Sequence, residues 1–230
     1  MKPKLVVFTG AGISAESGIK TFRDSDGLWE EYNISDVATP RAWKKNMALV
    51  LDFYNKRRKQ IIAAKPNKAH HAIVALEKKY DVQIITQNID DLHERAGSKN
   101  VLHLHGEITK SRSTIDSSFI YKINGDELNI GDMCEFNSQL RPHIVWFGEQ
   151  VPEMENAYFL AEKASVFIVV GSSLLVHPAA GLINYAPANI PKYLIDPSDV
   201  NVMGINNLTI IKETAGIGLT SLVEKKLLIS

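Results

Sequence analysis

The sequence has a single cysteine, Cys134, among its 230 residues. One cysteine excludes an internal disulfide, and with it the small disulfide-stapled scaffolds of secreted proteins. It also cannot supply the two or four thiolates of the common structural zinc sites. The 26 basic and 26 acidic residues give a formal net charge of zero. The chain therefore lacks the overall positive charge that is typical of nucleic-acid-binding domains.

A long hydrophobic run is also missing. The longest apolar stretch, residues 165–176, is interrupted by Gly171, Ser172 and Ser173, and it is shorter than the roughly 18 residues that a membrane-spanning helix needs. The apolar run at residues 5–8 is too short for the core of a signal peptide. We therefore expect a cytoplasmic protein that is a monomer or weak oligomer, with neither a membrane nor a nucleic acid as partner.

Short apolar runs alternate with longer helical stretches along most of the chain. Apolar strands separated by helices indicate a parallel sheet buried on both faces, which predicts an α/β, Rossmann-like doubly wound fold. The predicted strands are residues 4–9, 82–86, 101–105, 143–147, 166–170, 193–195 and 208–211. The predicted helices are residues 41–64, 68–79, 152–163, 179–185 and 217–228.

Two segments depart from this alternation, residues 24–65 and residues 107–140. The second is polar and contains a predicted hairpin around residues 119–123 with Asn124-Gly125 as its turn. We expect both segments to pack together as a small second lobe. The Rossmann-like part then comprises about residues 1–31, 66–107 and 140–230, and the small lobe about 32–65 and 108–139.

A glycine-rich turn follows the first predicted strand, with Gly10, Gly12 and Ala15 in the spacing G-x-G-x-x-A. Such a turn lets the backbone approach a pyrophosphate, although the same pattern also occurs in turns that bind no ligand. Glu30 and Glu31 lie at the usual distance for a ribose-binding acid, but no second strand precedes them. A conventional hydride-transfer dehydrogenase is therefore disfavoured.

Polar residues follow the next two predicted strands, at the edge of a parallel sheet where ligands bind. Gln87, Asn88 and Asp90 come after the first of these strands, and their side chains suit ribose hydroxyls or an amide. Asn88 or Asp90 can equally serve as the N-cap of the following helix. His105 lies before a glycine and is a candidate general base. A metal pair with His103 is disfavoured because no third ligand has suitable spacing.

On the long predicted helix, Tyr54 and Arg57 are three residues apart and share one face. Arg57 belongs to the run Lys-Arg-Arg-Lys at residues 56–59, which by itself is typical of a solvated basic face. The alternative is a Tyr–Arg pair that holds a carboxylate, for which the guanidinium fork is well shaped.

Taken together and in order, these segments resemble the sirtuins, which are NAD-dependent protein lysine deacylases. The resemblance covers nearly the whole chain, and the ordered set is far more specific than any one motif. The matching segments are GAGISAESGI at residues 10–19, TFR at 21–23, GLW at 27–29, TQNID at 86–90, HLHG at 103–106, RPHIVWFGE at 141–149 and GSSL at 171–174.

The resemblance implies a cleft in which NAD meets an acyl-lysine of a protein or peptide. It implies His105, Asn88 and Asp90 as catalytic residues, with His105 as general base. The products would be nicotinamide, O-acyl-ADP-ribose and free lysine. The implied NAD contacts are Gly10, Ala11, Gly12, Ala15, Phe22, Arg23, Gln87, Asn88, Ile89, Asp90, Gly171, Ser172, Ser173, Asp196 and Ala215. The implied substrate contacts are Val145, Phe147, Gly148 and Glu149, beside which the peptide would pair as an added strand.

Tyr54 and Arg57 correspond to a Tyr-x-x-Arg pair of sirtuins that prefer acidic acyl groups, and Ala38 to the small residue that widens their acyl pocket. The resemblance therefore predicts desuccinylase and demalonylase activity, with deacetylase activity as a further expectation. An acyl carboxylate removed from water needs a cationic partner.

Two features depart from the family pattern. Asp196 stands where sirtuins often carry an asparagine beside the adenosine site. The segments at residues 111–117 and 132–137, where most sirtuins place four zinc-binding cysteines, contain only Cys134. We therefore expect no zinc, since serine hydroxyls are poor zinc ligands. The lobe would be ordered instead by the strand at 119–123, its turn, and packing of Met133 and Phe136.

Two alternative functions use the same cleft. One is an ADP-ribosyltransferase or NAD glycohydrolase that does not turn over acyl-lysine. The other is a non-catalytic binder of NAD or ADP-ribose. The joint presence of Asn88, Asp90 and His105 favours the deacylase over both.

Overall fold

The computed structural model describes residues 2–20, 32–200 and 202–229. A six-stranded parallel sheet runs through these residues in the order β3-β2-β1-β7-β8-β9. This is the strand order of a Rossmann fold, which confirms the predicted α/β class. The strands are β1 (Lys4–Thr9), β2 (Asp81–Thr86), β3 (Val101–His103), β7 (Val166–Val170), β8 (Lys192–Ile195) and β9 (Leu208–Ile211).

Helices cover both faces of this sheet. Along β1, Leu5 and Val7 belong to one hydrophobic cluster, while Val6 and Phe8 belong to another on the opposite face. This double burial is the reason why the strand is apolar at every position instead of alternating. The helices are α1 (Gly12–Ala15), α2 (Ile34–Val37), α3 (Pro40–Lys45), α4 (Met47–Ala63), α5 (Lys68–Leu76), α6 (Leu92–Ala96), α7 (Met154–Glu162), a 3₁₀ helix (Ala179–Tyr185) and α8 (Ala215–Leu222), which continues as a π-helical turn (Val223–Leu227).

A second, antiparallel sheet has the order β5-β4-β6, formed by β4 (Gly106–Ser113), β5 (Ile120–Lys122) and β6 (Leu140–Ile144). The prediction of a strand at residues 143–147 in the large sheet is wrong, because this part of the chain pairs with β4 instead. The apolar residues at 144–147 favoured a buried parallel strand, whereas Pro142 suits the edge strand that β6 forms.

The predicted hairpin turn at Asn124-Gly125 is also wrong. β5 pairs antiparallel with the preceding strand β4, with Lys122 opposite Lys110, so the hairpin connection lies before β5 and not after it. Gly125 has a positive φ of 90° in the loop that follows. The chain does turn at Gly125, but β4 contains only one large apolar residue, Ile108, so no apolar run predicted a strand before residues 119–123.

The single helix predicted at residues 41–64 is two helices that meet at Asn46. The Asn46 backbone N–H donates to the carbonyl of Ala42 and ends α3, while its side chain accepts a hydrogen bond from the Leu49 N–H and begins α4. Asparagine favours this exchange because its side chain competes with the backbone for hydrogen bonds. Within the described ranges no helix is long and apolar enough to cross a membrane.

Candidate active site

The sheet reverses its order between β1 and β7, and the loops after these strands form the crevice where doubly wound folds bind ligands. Gly10 N–H donates to the Val170 carbonyl at 3.0 Å, and Gly12 N–H donates to the Gly171 carbonyl at 2.9 Å. A Cβ atom on Gly10 would lie 2.6 Å from the Gly171 carbonyl oxygen. The glycines are therefore required for the contact between the loops after β1 and β7, independently of any ligand bound there.

The predicted NAD residues at this edge lie on several elements. Ala11 precedes α1 and Ala15 ends it; α1 has four residues, too few for a strong helix dipole. Ser172 Oγ donates to Gln87 Oε1 at 3.0 Å, so the loops after β2 and β7 meet in front of β1. Ser173, Asp196 and Ala215 follow β7, β8 and β9. Phe22 and Arg23 lie outside the described residues.

Ser14 joins Asn88 and Asp90 in one buried cluster. Asn88 Nδ2 donates to Ser14 Oγ at 3.1 Å, and Ser14 Oγ donates to Asp90 Oδ2 at 3.0 Å. The other Asp90 oxygen accepts from the Leu92 N–H, the first of α6, at 3.1 Å, whereas the N-cap residue of this helix is Asp91 and not Asn88 or Asp90. Burial raises the pKa of Asp90, although these hydrogen bonds oppose the shift. The motif contained Ser14, but sequence reasoning singled out its glycines and missed the serine.

His105 is oriented by the backbone of the neighbouring loop. Its Nδ1 lies 3.0 Å from the carbonyl oxygen of Gln87. A carbonyl only accepts, so Nδ1 carries the proton and Nε2 of the neutral ring keeps its lone pair. Burial lowers the pKa of His105 while the Gln87 carbonyl opposes this effect. The imidazole is therefore neutral near pH 7 and has the correct tautomer for a general base.

His103 contacts the loop after β2 at Asn88, the residue that follows Gln87. Its Nδ1 lies 3.0 Å from the Asn88 carbonyl oxygen, and its Nε2 lies 2.9 Å from Glu94 Oε1. Burial opposes the charged form of His103, but Glu94 and the Asn88 carbonyl together raise its pKa above the usual value. Two acceptors suit an imidazolium that donates at both nitrogens. His103 thus positions Asn88. From the sequence, His103 was considered only as a metal ligand, and that role was disfavoured.

A chain of hydrogen bonds between buried polar groups connects the Asn88 backbone to the protein interior. Thr86 Oγ1 accepts from the Asn88 backbone N–H at 3.0 Å and from Thr9 Oγ1 at 2.8 Å. His93 Nε2 lies 3.0 Å from Thr9 Oγ1, and the rings of His93 and His70 lie 5.0 Å apart. Both imidazoles are fully buried. Burial lowers the pKa of His70 to about 4 and that of His93 well below its usual value.

Tyr54 and Arg57 are buried on α4, which excludes the solvated basic face as an explanation. Arg57 Nη2 donates to the Lys20 carbonyl at 2.9 Å, whereas Nη1 is buried and has no hydrogen-bond partner among the described residues. Burial lowers the pKa of Arg57, and the nearby Asp90 opposes the shift. An unpaired buried guanidinium nitrogen is costly, so this atom points to a ligand acceptor.

The segment at residues 145–149 is hydrogen-bonded to both His105 and Ala38. Val145 N–H donates to the His105 carbonyl at 2.9 Å, and Phe147 N–H donates to the Ala38 carbonyl at 3.0 Å. Phe147 and Gly148 are exposed. The carboxylate of Glu149 is instead used within the protein, in ion pairs with Arg141 and Arg112.

The segments at residues 111–117 and 132–137, where zinc ligands were considered, are held by other contacts. Cys134 is buried with its Sγ 3.4 Å from Ser113 Oγ, and the described residues contain no group of three or more His, Cys, Asp or Glu that could hold a metal ion. Phe136 packs on Phe119 with ring centroids 4.9 Å apart, but Phe136 and Met133 are about half exposed. Hydrogen bonds order this loop more than the expected apolar packing does.

The comparisons with known proteins agree with this geometry. A sequence profile of the Sir2 family matches residues 10–178. The chain is 52% identical over 221 residues to a protein from Helicobacter pylori named NAD-dependent protein deacylase, covering 96% of both chains. It is 48% identical over 230 residues to a Bacteroides thetaiotaomicron protein of the same name, covering 98% of this chain and 97% of that one.

Solved structures show the same likeness. A Sir2 homologue in complex with NAD has a TM-score of 0.88 and 38% identity, over 97% of this chain and 89% of that chain. A Sir2 protein with a deacetylated p53 peptide and 3′-O-acetyl ADP-ribose has a TM-score of 0.78 and 29% identity, over 98% and 94%. Together with these matches, the Rossmann-type sheet and the small antiparallel sheet define a sirtuin-type α/β protein. The chain belongs to the Sir2 family.

Proposed function

We propose that this chain removes acyl groups from protein lysines with NAD as co-substrate. The observation that carries the proposal is the His105 ring, whose Nδ1 is hydrogen-bonded to the Gln87 carbonyl, so that Nε2 keeps its lone pair. Gln87 directly precedes Asn88 in the loop where Asn88 and Asp90 are joined through Ser14. The relatives named NAD-dependent protein deacylase at about half identity support the same reaction.

The crevice fits the dinucleotide. Gly10, Gly12 and Gly171 leave no room for Cβ atoms between the two loops, so backbone groups line the crevice there. Ser172 and Gln87 add hydroxyl and amide groups suited to ribose. Asp196, whose Oδ1 accepts from the Ser198 N–H, lies at the end of β8 and has a second oxygen for a ribose hydroxyl. When bound, NAD supplies the ribose carbon that accepts the acyl oxygen as nicotinamide leaves.

The residues of the chain then have separate tasks. His105 Nε2 takes a proton from a hydroxyl presented to it, and Gln87 holds the ring in place. Asn88 and Asp90 are held together through Ser14, so both side chains have a fixed orientation before a ligand binds. Positioning of this kind accelerates a reaction because folding already orders the catalytic groups, so no further entropy is lost in ordering them at the transition state.

The acyl preference that we propose is for groups ending in a carboxylate, succinyl and malonyl. Arg57 Nη1, which has no hydrogen-bond partner among the described residues, and the Tyr54 hydroxyl present donors on the same face of α4. A methyl-terminated acyl group would leave the buried Arg57 nitrogen unpaired, whereas a carboxylate would satisfy it with a charge-assisted hydrogen bond. Ala38, a small buried residue whose carbonyl accepts from the Phe147 N–H, would obstruct a longer acyl chain less than a larger side chain at this position.

Further parts of the proposal follow from the sequence. We propose that the enzyme works without structural zinc, acts in the cytoplasm and is a monomer or weak oligomer. We also propose that the region around the antiparallel sheet, with α2 to α4, acts as the small lobe facing the Rossmann-like part across the acyl-lysine cleft.

The activity is tested by incubating the protein with NAD and a succinyl-, malonyl- or acetyl-lysine peptide. We expect peptide-dependent nicotinamide release with one O-acyl-ADP-ribose formed per lysine freed. Nicotinamide release that does not depend on the peptide would instead identify a glycohydrolase or ADP-ribosyltransferase. NAD binding without turnover would identify a non-catalytic binder.

The acyl preference is tested by Arg57→Met, which keeps a long unbranched side chain and removes the charged guanidinium. We expect the ratio of succinyl to acetyl kcat/KM to fall by about 10- to 100-fold, as for loss of a charged hydrogen bond. Lys56→Met is the matched control, since Lys56 is adjacent, exposed and paired with Asp52 at the surface. An equal loss on both peptides with Arg57→Met would exclude the preference.

A further inference from the structure

Trp146 contacts the Tyr54 hydroxyl directly. The indole Nε1 lies 3.0 Å from the Tyr54 oxygen, and both side chains are buried, with 2% of each exposed. An indole N–H only donates, so the Tyr54 oxygen accepts this hydrogen bond. The hydroxyl proton of Tyr54 must therefore point away from Trp146, toward another acceptor.

Tyr54 keeps this proton at neutral pH. Burial raises the pKa of Tyr54 above its ordinary value, and Glu149 adds to the shift, while Trp146, Arg141 and Arg57 oppose it. The side chain is thus a neutral donor and not a phenolate that would repel a carboxylate. Arg57, one helical turn further along α4, has its unpartnered Nη1 in the same region.

A network of charged side chains fixes the position of the Trp146 indole. The Arg141 guanidinium lies 3.3 Å from the Trp146 ring centre, a close cation–π contact. Glu149 accepts two hydrogen bonds from Arg141, at 2.7 and 3.0 Å, and one from Arg112 at 3.1 Å. The same carboxylate accepts from the Trp146 backbone N–H at 2.8 Å. The direction of the indole N–H is therefore determined by packing and charge together.

We infer that Trp146 is a specificity-determining positioning residue, which directs the Tyr54 O–H toward the carboxylate of an acidic acyl group. Without the indole donor, the Tyr54 hydroxyl is free to rotate and to donate elsewhere. A carboxylate substrate then loses a preorganised donor, whereas an acyl group that ends in a methyl has no acceptor to lose there. The inference rests on the proposed preference for succinyl and malonyl groups.

The test is a double-mutant cycle of Trp146→Phe and Tyr54→Phe, measured on succinyl- and acetyl-lysine peptides. We expect Trp146→Phe to lower the ratio of succinyl to acetyl kcat/KM about five- to tenfold, mainly through KM for the succinyl peptide. In the Tyr54→Phe background the same change should leave this ratio nearly constant, since no hydroxyl remains to be directed.

A second substitution guards against misfolding of Trp146→Phe. Replacing Trp146 by 3-benzothienylalanine keeps the bicyclic shape and the contact with Arg141 but exchanges the N–H for sulfur. It should lower the succinyl-to-acetyl ratio as Trp146→Phe does, with an unchanged melting temperature.

Two results would overturn the inference. One is a loss of equal size on both peptides, and the other is the same change in ratio with and without the Tyr54 hydroxyl. The parallel Arg57→Met measurement separates the causes. If Arg57→Met is selective and the Trp146 variants are not, the inference alone is wrong. If Arg57→Met is unselective, the acidic-acyl preference is wrong and the inference with it.

Discussion

His105 Nδ1 lies 3.0 Å from the backbone carbonyl oxygen of Gln87, a contact between a strand end and the loop of the neighbouring strand. The carbonyl selects the tautomer in which Nε2 keeps its lone pair, and it does so without a second ionisable group. Because burial also lowers the pKa of His105, the ring is neutral across the physiological range.

The pH dependence of turnover should follow from this contact. We expect the acid limb of the kcat/KM profile to lie below about pH 6.5, the ordinary value for histidine, because the folded pKa is lowered. His105→Asn should reduce deacylation by about 100-fold or more while NAD binding, measured by calorimetry, persists. An acid limb above the ordinary value would contradict the neutral-base assignment.

Glu94 should influence catalysis from outside the crevice. It accepts from His103, whose other nitrogen bonds the Asn88 carbonyl. Glu94→Gln removes the charge that keeps His103 protonated, so the second hydrogen bond weakens and the Asn88 loop loosens. We expect kcat/KM for NAD to fall about three- to tenfold. Glu155→Gln, at an exposed position on α7, is the control. Identical kinetics for the two variants would remove His103 from the positioning role.

Gly171 and Gly18 allow the cost of a positive φ to be distinguished from the cost of a steric clash at a glycine position. Both have a positive φ, 60° and 84°, but a Cβ on Gly171 would lie 2.3 Å from Ile13 N, whereas Gly18 has open space around it. Gly18→Ala should cost about 1 kcal/mol of unfolding free energy. Gly171→Ala should cost several times more and weaken NAD binding, because the loops after β1 and β7 must separate. Denaturant unfolding measures the first effect, and similar losses for the two variants would contradict it.

Stability should fall on acidification because of His70 and His93. Their folded pKa values lie below the unfolded value, so the unfolded state binds more protons between about pH 6.5 and 4, and the free energy of unfolding decreases as pH falls through that window. Asn67, Thr9, His71, Glu94 and His103 are the polar and charged groups around the pair. From the His70 shift we expect a loss of about 1–2 kcal/mol between pH 7 and pH 5.

Denaturant unfolding at the two pH values checks this expectation. His70→Asn should reduce the pH-dependent loss, while His71→Asn, at the exposed neighbouring position, should change it much less. A loss of stability that is the same in all three proteins would place its origin elsewhere.

Metal analysis tests the expected absence of zinc. Purified protein should contain no stoichiometric zinc, and a chelator should change neither the melting temperature nor the deacylation rate. The reason is that Cys134 faces the Ser113 hydroxyl at 3.4 Å, and a hydroxyl is a poor zinc ligand. Bound zinc that resists dialysis, or activity lost to the chelator, would contradict the expectation.

The large sheet could be predicted from the sequence because each of its strands is a local apolar run. Runs such as residues 4–9 and 166–170 are buried on both faces, and the structure places them within a residue or two of the predicted bounds. The small sheet could not be predicted in this way because β4 has one large apolar residue, Ile108, among polar residues and glycine, and β6 contains a proline. The break between α3 and α4 at Asn46 could not be predicted because it depends on capping hydrogen bonds and not on hydrophobic periodicity.

For the site, the sequence by itself determined which polar residues stand at strand ends. Gln87, Asn88, Asp90 and His105 follow strands whose direction in a parallel sheet is set by the helices between them. Only the tertiary structure decided which of these groups meet, because the hydrogen bond between Trp146 and Tyr54 joins residues 92 positions apart, and that between Ser14 and Asp90 joins residues 76 apart. The direction of a proton at such a contact depends on every buried neighbour, and no local pattern of residues records it.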